Sequence, residues 1–227
     1  MRDQANGQQT IRILKNGPYV IPAGIPLERK TIKRDETGFP SGWNDEERYP
    51  LQGPYSLCRC GQSKNKPFCD GSHQTAGFDG TETDSRVPYL ERAKIYHGPG
   101  LDLTDARVFC AAARFCDRLE GAWKLLARSD EPGIREIIEE QVRNCPSGRL
   151  VLRDKQGNSL EPEYEPGIVI VEDPNEDLEG PIWVQGGIPI QSADGSLYEV
   201  RNRAALCRCG QSRNKPFCDG SHCREQV

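Results

Sequence analysis

The sequence predicts an α+β protein in which two small β-rich units flank a helical insertion. A sixteen-residue string occurs at 58–73 and again at 207–222, and the two copies differ only by Lys64 against Arg213. The intervening stretch 102–148 has a different composition, with alanine-rich and charged segments that are typical of helices. The repetition indicates that one structural unit is present twice. The order β unit, α insertion, β unit predicts the α+β class.

The β character of each unit follows from short apolar runs that Gly, Pro and Asp bound. A frame G-P-x(5)-G-I-P starts at Gly17 and again at Gly180. The runs in and after this frame predict strands at Tyr19–Ile21, Ile25–Leu27, Ile182–Val184, Ile188–Ile190 and Leu197–Val200. Cys58 lies 41 residues after Gly17, whereas Cys207 lies 27 after Gly180, so the first copy holds 14 extra residues. The polar stretch 33–48 contains them and predicts a loop.

The insertion predicts two helices, and two strands follow them. Residues 102–127 begin with Asp and Thr and have an alanine-rich interior, and residues 131–148 carry Pro132 early and end at Gly148. Apolar residues at i, i+3, i+4 and i+8 give the second helix one buried face: Ile134, Ile137, Ile138 and Val142. The apolar runs at 149–154 and 167–173 predict strands.

Bulk properties exclude several classes of protein. The net charge of -4 does not favour binding of nucleic acid, which is itself negatively charged. The apolar runs, such as 167–171, are too short to span a bilayer, and residues 1–10 lack the apolar core of a signal peptide. We therefore expect a cytoplasmic protein that binds neither membrane nor nucleic acid. In a reducing compartment, its ten cysteines favour metal binding over disulfides.

Each repeated string offers three cysteines and one histidine. Cys69 and His73 are four residues apart, which places them on one face of a helical turn. Cys58 and Cys60 form a C-x-C pair that can grip a second metal from an extended loop. Two bidentate halves suit a two-iron, two-sulfide cluster. A mononuclear Cys3His zinc site is the alternative, although structural zinc usually takes C-x(2–4)-C. The spacing alone leaves both open.

The string CRCGQSKNKPFCDGSH resembles the motif of the CDGSH iron–sulfur (NEET) family, C-x-C-x(2)-[ST]-x(3)-P-x-C-D-G-[ST]-H, and both copies match in full. The resemblance implies two [2Fe–2S] clusters and not zinc. It further implies that the C-x-C pair holds one iron and the Cys–His pair holds the outer iron. The implied ligands are Cys58, Cys60, Cys69 and His73 in the first copy and Cys207, Cys209, Cys218 and His222 in the second.

One histidine in place of a fourth thiolate has two chemical consequences. A neutral imidazole makes the cluster one charge unit less negative, so the cluster accepts an electron more readily. The imidazole nitrogen must also be deprotonated to bind, so acid competes with iron for His73 and His222. We therefore expect redox-active clusters that are lost in acid.

Other residues of the string are expected to support the fold and charge of the site. Gly61 and Gly71 allow tight turns, and Asp70 is expected to cap the turn that carries Cys69 and His73. The basic residues fit either compensation of the cluster charge or a solvated basic loop: Arg59, Lys64, Lys66, Arg208, Arg213 and Lys215.

The middle segment contains three more cysteines, Cys110 and Cys116 (C-x(5)-C) and Cys145 in NCPSGRL. This pattern resembles a divergent single-cluster ferredoxin segment from which one expected cysteine is missing. We therefore expect a helical scaffold with buried cysteines and no third cluster. Cys223 is expected to be a spare thiol and His97 a hydrogen-bonding loop residue.

These observations divide the chain into three predicted segments. Residues 1–80 form the first β-cap with its CDGSH unit, 81–160 the α-rich, ferredoxin-like middle segment, and 161–227 the second β-cap with its CDGSH unit. A unit of this size has too little apolar surface to be stable alone. We therefore expect the two units to pair inside one chain as a pseudo-dimer, and the protein to be a monomer.

No catalytic motif is present, because the sequence contains no Walker loop, no G-x-G-x-x-G after a strand and no nucleophile elbow. We expect a protein without enzyme activity that transfers electrons, transfers clusters or senses redox state. Its partner would be an unidentified redox protein or an apo iron–sulfur acceptor protein. A structural zinc module that serves an interaction partner is the alternative.

Overall fold

Three β-sheets and a few short helices make up the computed structural model, which describes residues 9–223. The first sheet consists of Ile11–Ile13 (β1), Tyr19–Ile21 (β2), Tyr55–Leu57 (β5) and Ile190–Gln191 (β11), in the order β11–β1–β2–β5. The second consists of Leu27–Arg34 (β3), Pro40–Arg48 (β4), Gly167–Asp173 (β9), Leu178–Gln185 (β10) and Arg203–Leu206 (β12), in the order β12–β10–β9–β3–β4. The α+β class is confirmed.

The middle of the chain holds the third sheet and the helices. The sheet consists of Lys94–His97 (β6), Asp102–Asp105 (β7) and Leu150–Arg153 (β8), in sequence order. The α-helices are Tyr89–Arg92 (α1), Ala122–Leu125 (α2) and Ile134–Arg143 (α3). Short 3-10 turns occur at Ser72–Gln74, Arg107–Phe109, Phe115–Asp117, Leu126–Arg128 and Ser221–Cys223.

The two repeat units exchange strands. In the first sheet β1 pairs in parallel with β11, with Ile11 opposite Ile190. In the second sheet β9 pairs in parallel with β3, with Ile168 opposite Leu27. Leu27 and Ile190 each follow the last proline of the repeated frame. The strand that begins at this position therefore pairs, in both units, with a strand of the other unit. The predicted pairing of the two units within one chain is therefore confirmed.

The main hydrophobic core lies at this junction and draws side chains from both units. It includes Ile11, Tyr19, Leu27 and Leu57 from the first unit and Ile168, Ile182, Ile190 and Leu206 from the second. Burial of apolar surface stabilises by about 25 cal/mol per Å². Neither unit keeps that stabilisation when it is separated from the other, which agrees with the size argument.

A second core joins the third sheet to α3. It contains Leu101, Leu103, Leu125, Leu126, Ile138, Val142, Leu150 and Leu152. Helix α3 begins after Gly133, whose φ of 82° ends the preceding turn, and its residues Ile138 and Val142 face the sheet. This helix and strands β8 and β9 confirm the predictions for 131–148, 149–154 and 167–173, and β8 and β9 lie in different sheets.

Arg203 fastens this core to the second unit. The side chain is 1% exposed, and its Nη1 donates to the carbonyl oxygens of Val142 (2.8 Å) and Cys145 (2.8 Å) at the end of α3. Its Nη2 pairs with Glu161 at 2.8 Å. The guanidinium therefore adds a side-chain donor to two carbonyls that also accept backbone amides, from Cys145 N (3.1 Å) and Gly148 N (3.3 Å) respectively. It also ties the middle of the chain to β12, the strand before Cys207.

Residues 33–48 were expected to be a loop, and that expectation is wrong. They complete a β-hairpin in which Ile32 of β3 lies opposite Trp43 of β4. Trp43 packs on Phe115 (4.7 Å between ring centroids) and on Trp183 (5.3 Å). The polar residues that suggested a loop face outward and form cross-strand pairs such as Lys30–Asp45 at 2.7 Å.

The predicted helix over 102–127 is also wrong, except at α2. Its first residues pair as β7, and two residues of the alanine-rich stretch, Ala112 (φ 56°) and Arg114 (φ 61°), have left-handed backbone that no α-helix accommodates. Sheet pairing and tight turns override the local propensity of alanine here.

The remaining strand predictions differ in their bounds. Tyr19–Ile21 is confirmed as β2, and Ile182–Val184 lies inside β10. The predicted strands at Ile25–Leu27 and Ile188–Ile190 begin only at Leu27 and Ile190. Leu197–Val200 is not a strand, because only Leu197 forms a bridge, with Gln191.

No helix within residues 9–223 has the length and apolar character to cross a bilayer. The segment bounds 1–80, 81–160 and 161–227 stay a prediction.

Candidate metal centres

Each repeated string folds into a loop that carries its ligand candidates in two pairs. The sulfur atoms of Cys58 and Cys60 lie 3.8 Å apart, and Cys69 Sγ lies 3.4 Å from His73 Nδ1. The second string repeats this arrangement: Cys207 and Cys209 are 3.6 Å apart, and Cys218 Sγ lies 3.5 Å from His222 Nδ1. Among the residues that the structure describes, no group of three or more His, Cys, Asp or Glu side chains is placed to hold one metal ion.

Backbone hydrogen bonds bring the two halves of each string together. In the first string, Cys58 N donates to Pro67 O (2.8 Å) and Cys69 N donates to Ser56 O (2.9 Å). In the second, Cys207 N donates to Pro216 O (2.8 Å), and Cys218 N donates to Ala205 O (2.8 Å). The segment before the Cys–His pair thus returns alongside β5 or β12.

A serine inside each string stabilises the returning segment by hydrogen bonds. Ser63 Oγ donates to Phe68 O (2.6 Å) and accepts from Asn65 N (3.1 Å). Ser212 Oγ donates to Phe217 O at the same distance, 2.6 Å. The only sequence signal for this role is the serine-or-threonine position of the repeated motif.

The turn between Cys69 and His73 is capped as predicted. Asp70 Oδ1 accepts from Ser72 N (3.0 Å), and Oδ2 accepts from Lys64 N (2.8 Å). Hydrogen bonds from Ser72 and Lys64 hold the pKa of the Asp70 carboxyl well below its usual range. Gly71, with φ 89°, leads into the 3-10 turn that carries His73.

Two of the basic residues are not solvated, which corrects the solvated-loop alternative for them. Arg59 is 2% exposed and Arg208 is 5% exposed. Arg59 Nη2 donates to Gly80 O at 2.6 Å, and Arg208 donates to Gly180 O (2.5 Å) and Val171 O (3.0 Å). Each string therefore has a buried positive charge between its first two cysteines. Lys64, Lys66 and Arg213 are exposed.

The two C-x-C segments touch each other. Gly61 has φ 77°, and a Cβ on it would lie 2.6 Å from Cys209 O. Gly210 has φ 81°, and a Cβ there would lie 2.8 Å from Cys60 O. Only glycine accommodates this backbone conformation and this close approach at low cost. The two candidate sites are therefore neighbours across the junction of the units.

Tyr19 also connects the units, and the sequence offered no signal for it. Its hydroxyl donates to Cys207 O (2.8 Å) and Pro216 O (3.1 Å) in the second string. Burial raises the pKa of Tyr19 well above its usual value, so the hydroxyl remains a donor. The partners are 188 residues apart, beyond any local pattern.

The protonation of the donors fits a buried metal centre. Burial raises the pKa of the Cys218 thiol. Within the neighbouring pair, the hydrogen bond from Cys209 lowers the pKa of Cys207 to about 6, and the same bond raises the pKa of Cys209. Complete deprotonation of such a set requires a compensating cation, which a bound metal supplies. Burial, and then Arg208, lower the pKa of His222 to about 4, so its imidazole is neutral and able to bind metal near pH 7.

Backbone amides add donors to the sulfur atoms. Gln62 N lies 3.4 Å from Cys60 Sγ, and Gly220 N lies 3.5 Å from Cys218 Sγ. Such N–H···S contacts favour the thiolate form and tune the potential of a sulfur-ligated centre.

The three middle cysteines line one pocket together with Arg149. Arg149 Nη1 donates to Cys110 Sγ (3.1 Å), and its Nε and Nη2 pair with Asp105 at 2.6 and 2.8 Å. Cys145 Sγ lies 3.5 Å from Ser147 Oγ, and burial raises the pKa of the Cys116 thiol. All three cysteines are only half-buried, so the expectation of buried cysteines on a helical scaffold is wrong.

The last two candidates lie outside the ligand pairs. Cys223 is half-buried, and its assignment as a spare thiol stays a prediction. His97 was expected in a loop, which is wrong, because it is the last residue of strand β6. Its Nδ1 lies 3.2 Å from the carboxylate of Asp102.

Comparison with known families gives two matches. A family model described as an iron-binding zinc finger of the CDGSH type matches residues 16–74 and 179–223. A second model, described as a divergent 4Fe-4S mono-cluster, matches residues 96–155. No curated protein and no solved structure matches the chain significantly. The two family matches confirm the tandem arrangement and support iron–sulfur binding.

The middle segment does not fit a four-iron cluster. Such clusters take four cysteine thiolates, and the pocket supplies only Cys110, Cys116 and Cys145. Alanines occupy 111–113 between the first two thiols. Cys110 and Cys145 already have partners in Arg149 and Ser147. The donor set is one ligand short.

Proposed function

Because both repeat units of this chain belong to the CDGSH-type iron-binding family, we propose that the protein binds two [2Fe–2S] clusters and delivers electrons or clusters to another protein. The first cluster would be held by Cys58, Cys60, Cys69 and His73, and the second by Cys207, Cys209, Cys218 and His222. When bound, such a cluster supplies one-electron redox chemistry.

The arrangement of the ligands in pairs is the observation that carries this proposal. A tetrahedral zinc site with Zn–S bonds of about 2.3 Å places all four donors within about 3.8 Å of one another. Here the donors meet only two by two, at 3.4 to 3.8 Å in each pair. A binuclear cluster needs this pattern, because each iron takes two protein ligands and two sulfides.

The surroundings of the pairs also favour an anionic centre. Arg59 and Arg208 are buried and hydrogen-bonded to carbonyl oxygens, so their charges stay beside the C-x-C segments. A fixed positive charge favours the gain of an electron nearby. A neutral histidine in place of a thiolate acts in the same direction. It also makes the centre sensitive to acid, because protonation of the imidazole competes with iron.

The assembly and location follow from the same features. The strands that complete each sheet come from the other unit of the same chain, so no second copy is required. We therefore propose a monomer. All ten cysteines are free thiols, which agrees with a reducing, cytoplasmic location. We propose that the partner is a redox protein or an apo iron–sulfur acceptor, and that the protein itself catalyses no reaction.

Metal analysis of the purified protein tests the proposal. We expect a coloured protein with about four irons and four acid-labile sulfides per chain. Cys58→Ser and Cys207→Ser should each remove about half of the iron, whereas Cys223→Ser should remove none. A colourless protein with stoichiometric zinc would establish the zinc alternative, and about eight irons would place a further cluster in the middle segment.

A further inference from the structure

We propose that the two clusters differ in accessibility: the middle segment 83–112 covers the outer ligand pair of the second site and leaves that of the first site open. Exchange with chelators and acceptor proteins then takes place at Cys69 and His73, while the second cluster is retained. This inference rests on the proposed function, since it assigns different roles to its two sites.

The two strings are nearly identical, so differences in their burial report their surroundings. Cys218 is 2% exposed, whereas its counterpart Cys69 is half-buried. Asn214 is 6% exposed, whereas Asn65 lies on the surface. The inner pair differs in the opposite sense, because Cys60 is buried and Cys209 half-buried. In the outer pair the cysteine is thus the ligand that the middle segment buries in the second string, whereas His73 and His222 are both half-buried.

Backbone and side-chain hydrogen bonds attach residues 83–112, called the cover below, to the second string. The amides of Thr83 and Asp84 both donate to Lys215 O, at 2.8 and 2.9 Å. Thr83 Oγ1 donates to Arg213 O at 2.9 Å. Arg92 pairs with the buried carboxylate of Asp84 at 2.7 Å and reaches Asn214 Oδ1 at 3.5 Å.

Apolar residues of the cover also pack against the turn that carries Cys218 and His222. Phe109 meets Phe217, the residue before Cys218, edge to face at 5.2 Å, and Arg92 stacks over the Phe109 ring at 4.6 Å. A Cβ on Gly220 would lie 3.1 Å from Ala112 Cβ and 3.2 Å from Cys110 O. At Gly71, the counterpart in the first string, a Cβ would meet nothing within 4 Å.

Residues 96–112 of the cover belong to the segment that the divergent 4Fe-4S model matches. Cys110 and Ala112 lie where that segment presents its first thiol, and both contact the second ligand loop. A segment that holds no cluster of its own therefore has a structural use, which is to shield the second outer pair from solvent. Within residues 9–223, no residue packs in this way on Gly71 of the first string.

Loss of clusters to an iron chelator tests this inference. His73→Cys and His222→Cys variants serve only to assign the phases, because each gives the altered cluster a distinguishable absorption spectrum. The rates are read from the unaltered cluster and from the wild-type protein, since a new thiolate ligand changes the loss of the altered cluster. We expect two phases of equal amplitude, with the first cluster lost about tenfold faster, which corresponds to roughly 1.4 kcal/mol of opening free energy for the cover. Iron bound per chain is measured in parallel.

Two variants act on the cover without touching a ligand. Arg92→Ala removes the ion pair with Asp84 and the contact with Phe109, and it should accelerate the second phase while the first phase is unchanged. Thr83→Val removes only one hydrogen bond, to Arg213 O, and serves if Arg92→Ala fails to fold. Gly220→Ala and Gly71→Ala form a matched pair with similar backbone strain, and Gly220→Ala should accelerate loss of the second cluster more than Gly71→Ala accelerates loss of the first.

The outcomes separate the two levels of the proposal. Full iron loading with a single phase, or earlier loss of the second cluster, would overturn the accessibility difference and leave the two-cluster function intact. A protein without iron would overturn the proposed function and this inference together.

Discussion

Gly61→Ala is expected to destabilise the protein because it forces apart the two C-x-C segments where their backbones touch. The new methyl group would lie 2.6 Å from Cys209 O, and that oxygen is backbone, which cannot rotate away. The left-handed conformation at φ 77° adds a cost of about 1–2 kcal/mol for a residue with a Cβ. Overpacking adds about 1–3 kcal/mol. The total loss is therefore about 2–5 kcal/mol.

Gly24→Ala is the matched control, since its φ is 89° and nothing lies within 4 Å of the added Cβ. It carries only the conformational cost. Thermal unfolding followed by circular dichroism compares the two variants, and at about 2–4 °C per kcal/mol Gly61→Ala should melt about 2–12 °C below Gly24→Ala. Equal melting temperatures would show that the C-x-C segments do not touch in solution, and the proposed adjacency of the two sites would be wrong.

Three further predictions concern the metal content, the potential and the assembly. His73→Cys and His222→Cys should retain clusters, lower the potential of the altered cluster in a spectroelectrochemical titration, and slow its loss in acid, because each adds a thiolate and removes the protonatable ligand; unchanged potentials would refute the charge argument. Simultaneous replacement of the middle cysteines (Cys110, Cys116 and Cys145) by alanine should leave iron content at about four per chain, and a fall in iron with both repeat clusters intact would reveal a third cluster. Sedimentation at micromolar concentration should give a monomer mass, and residues 1–80 alone should not fold as a cluster-bearing monomer, because β1 would lack its partner β11.

Patterns that act over short distances in the chain were predicted well from the sequence. Helix α3 and strands β2, β8 and β9 follow from apolar periodicity and from turn residues, which are local signals. The helix prediction for 102–127 was wrong because the helical propensity of its alanine-rich stretch is weak in comparison with sheet pairing through β7. The loop prediction for 33–48 was wrong for a related reason. The polar residues of this hairpin lie on a sheet face that cross-strand pairs stabilise, and composition alone does not distinguish such a face from a loop.

The sequence by itself predicts the two candidate ligand sets, because each set lies within sixteen consecutive residues. Spacings of two and four residues bring the donors into pairs wherever the string folds. Spacing does not report what lies around a loop. The burial of Arg59 and Arg208, the contact of Tyr19 with Cys207 O and the cover over Cys218 all depend on residues distant in the chain. Two nearly identical strings are therefore placed in different surroundings by tertiary structure alone, because a single middle segment can pack against only one of them.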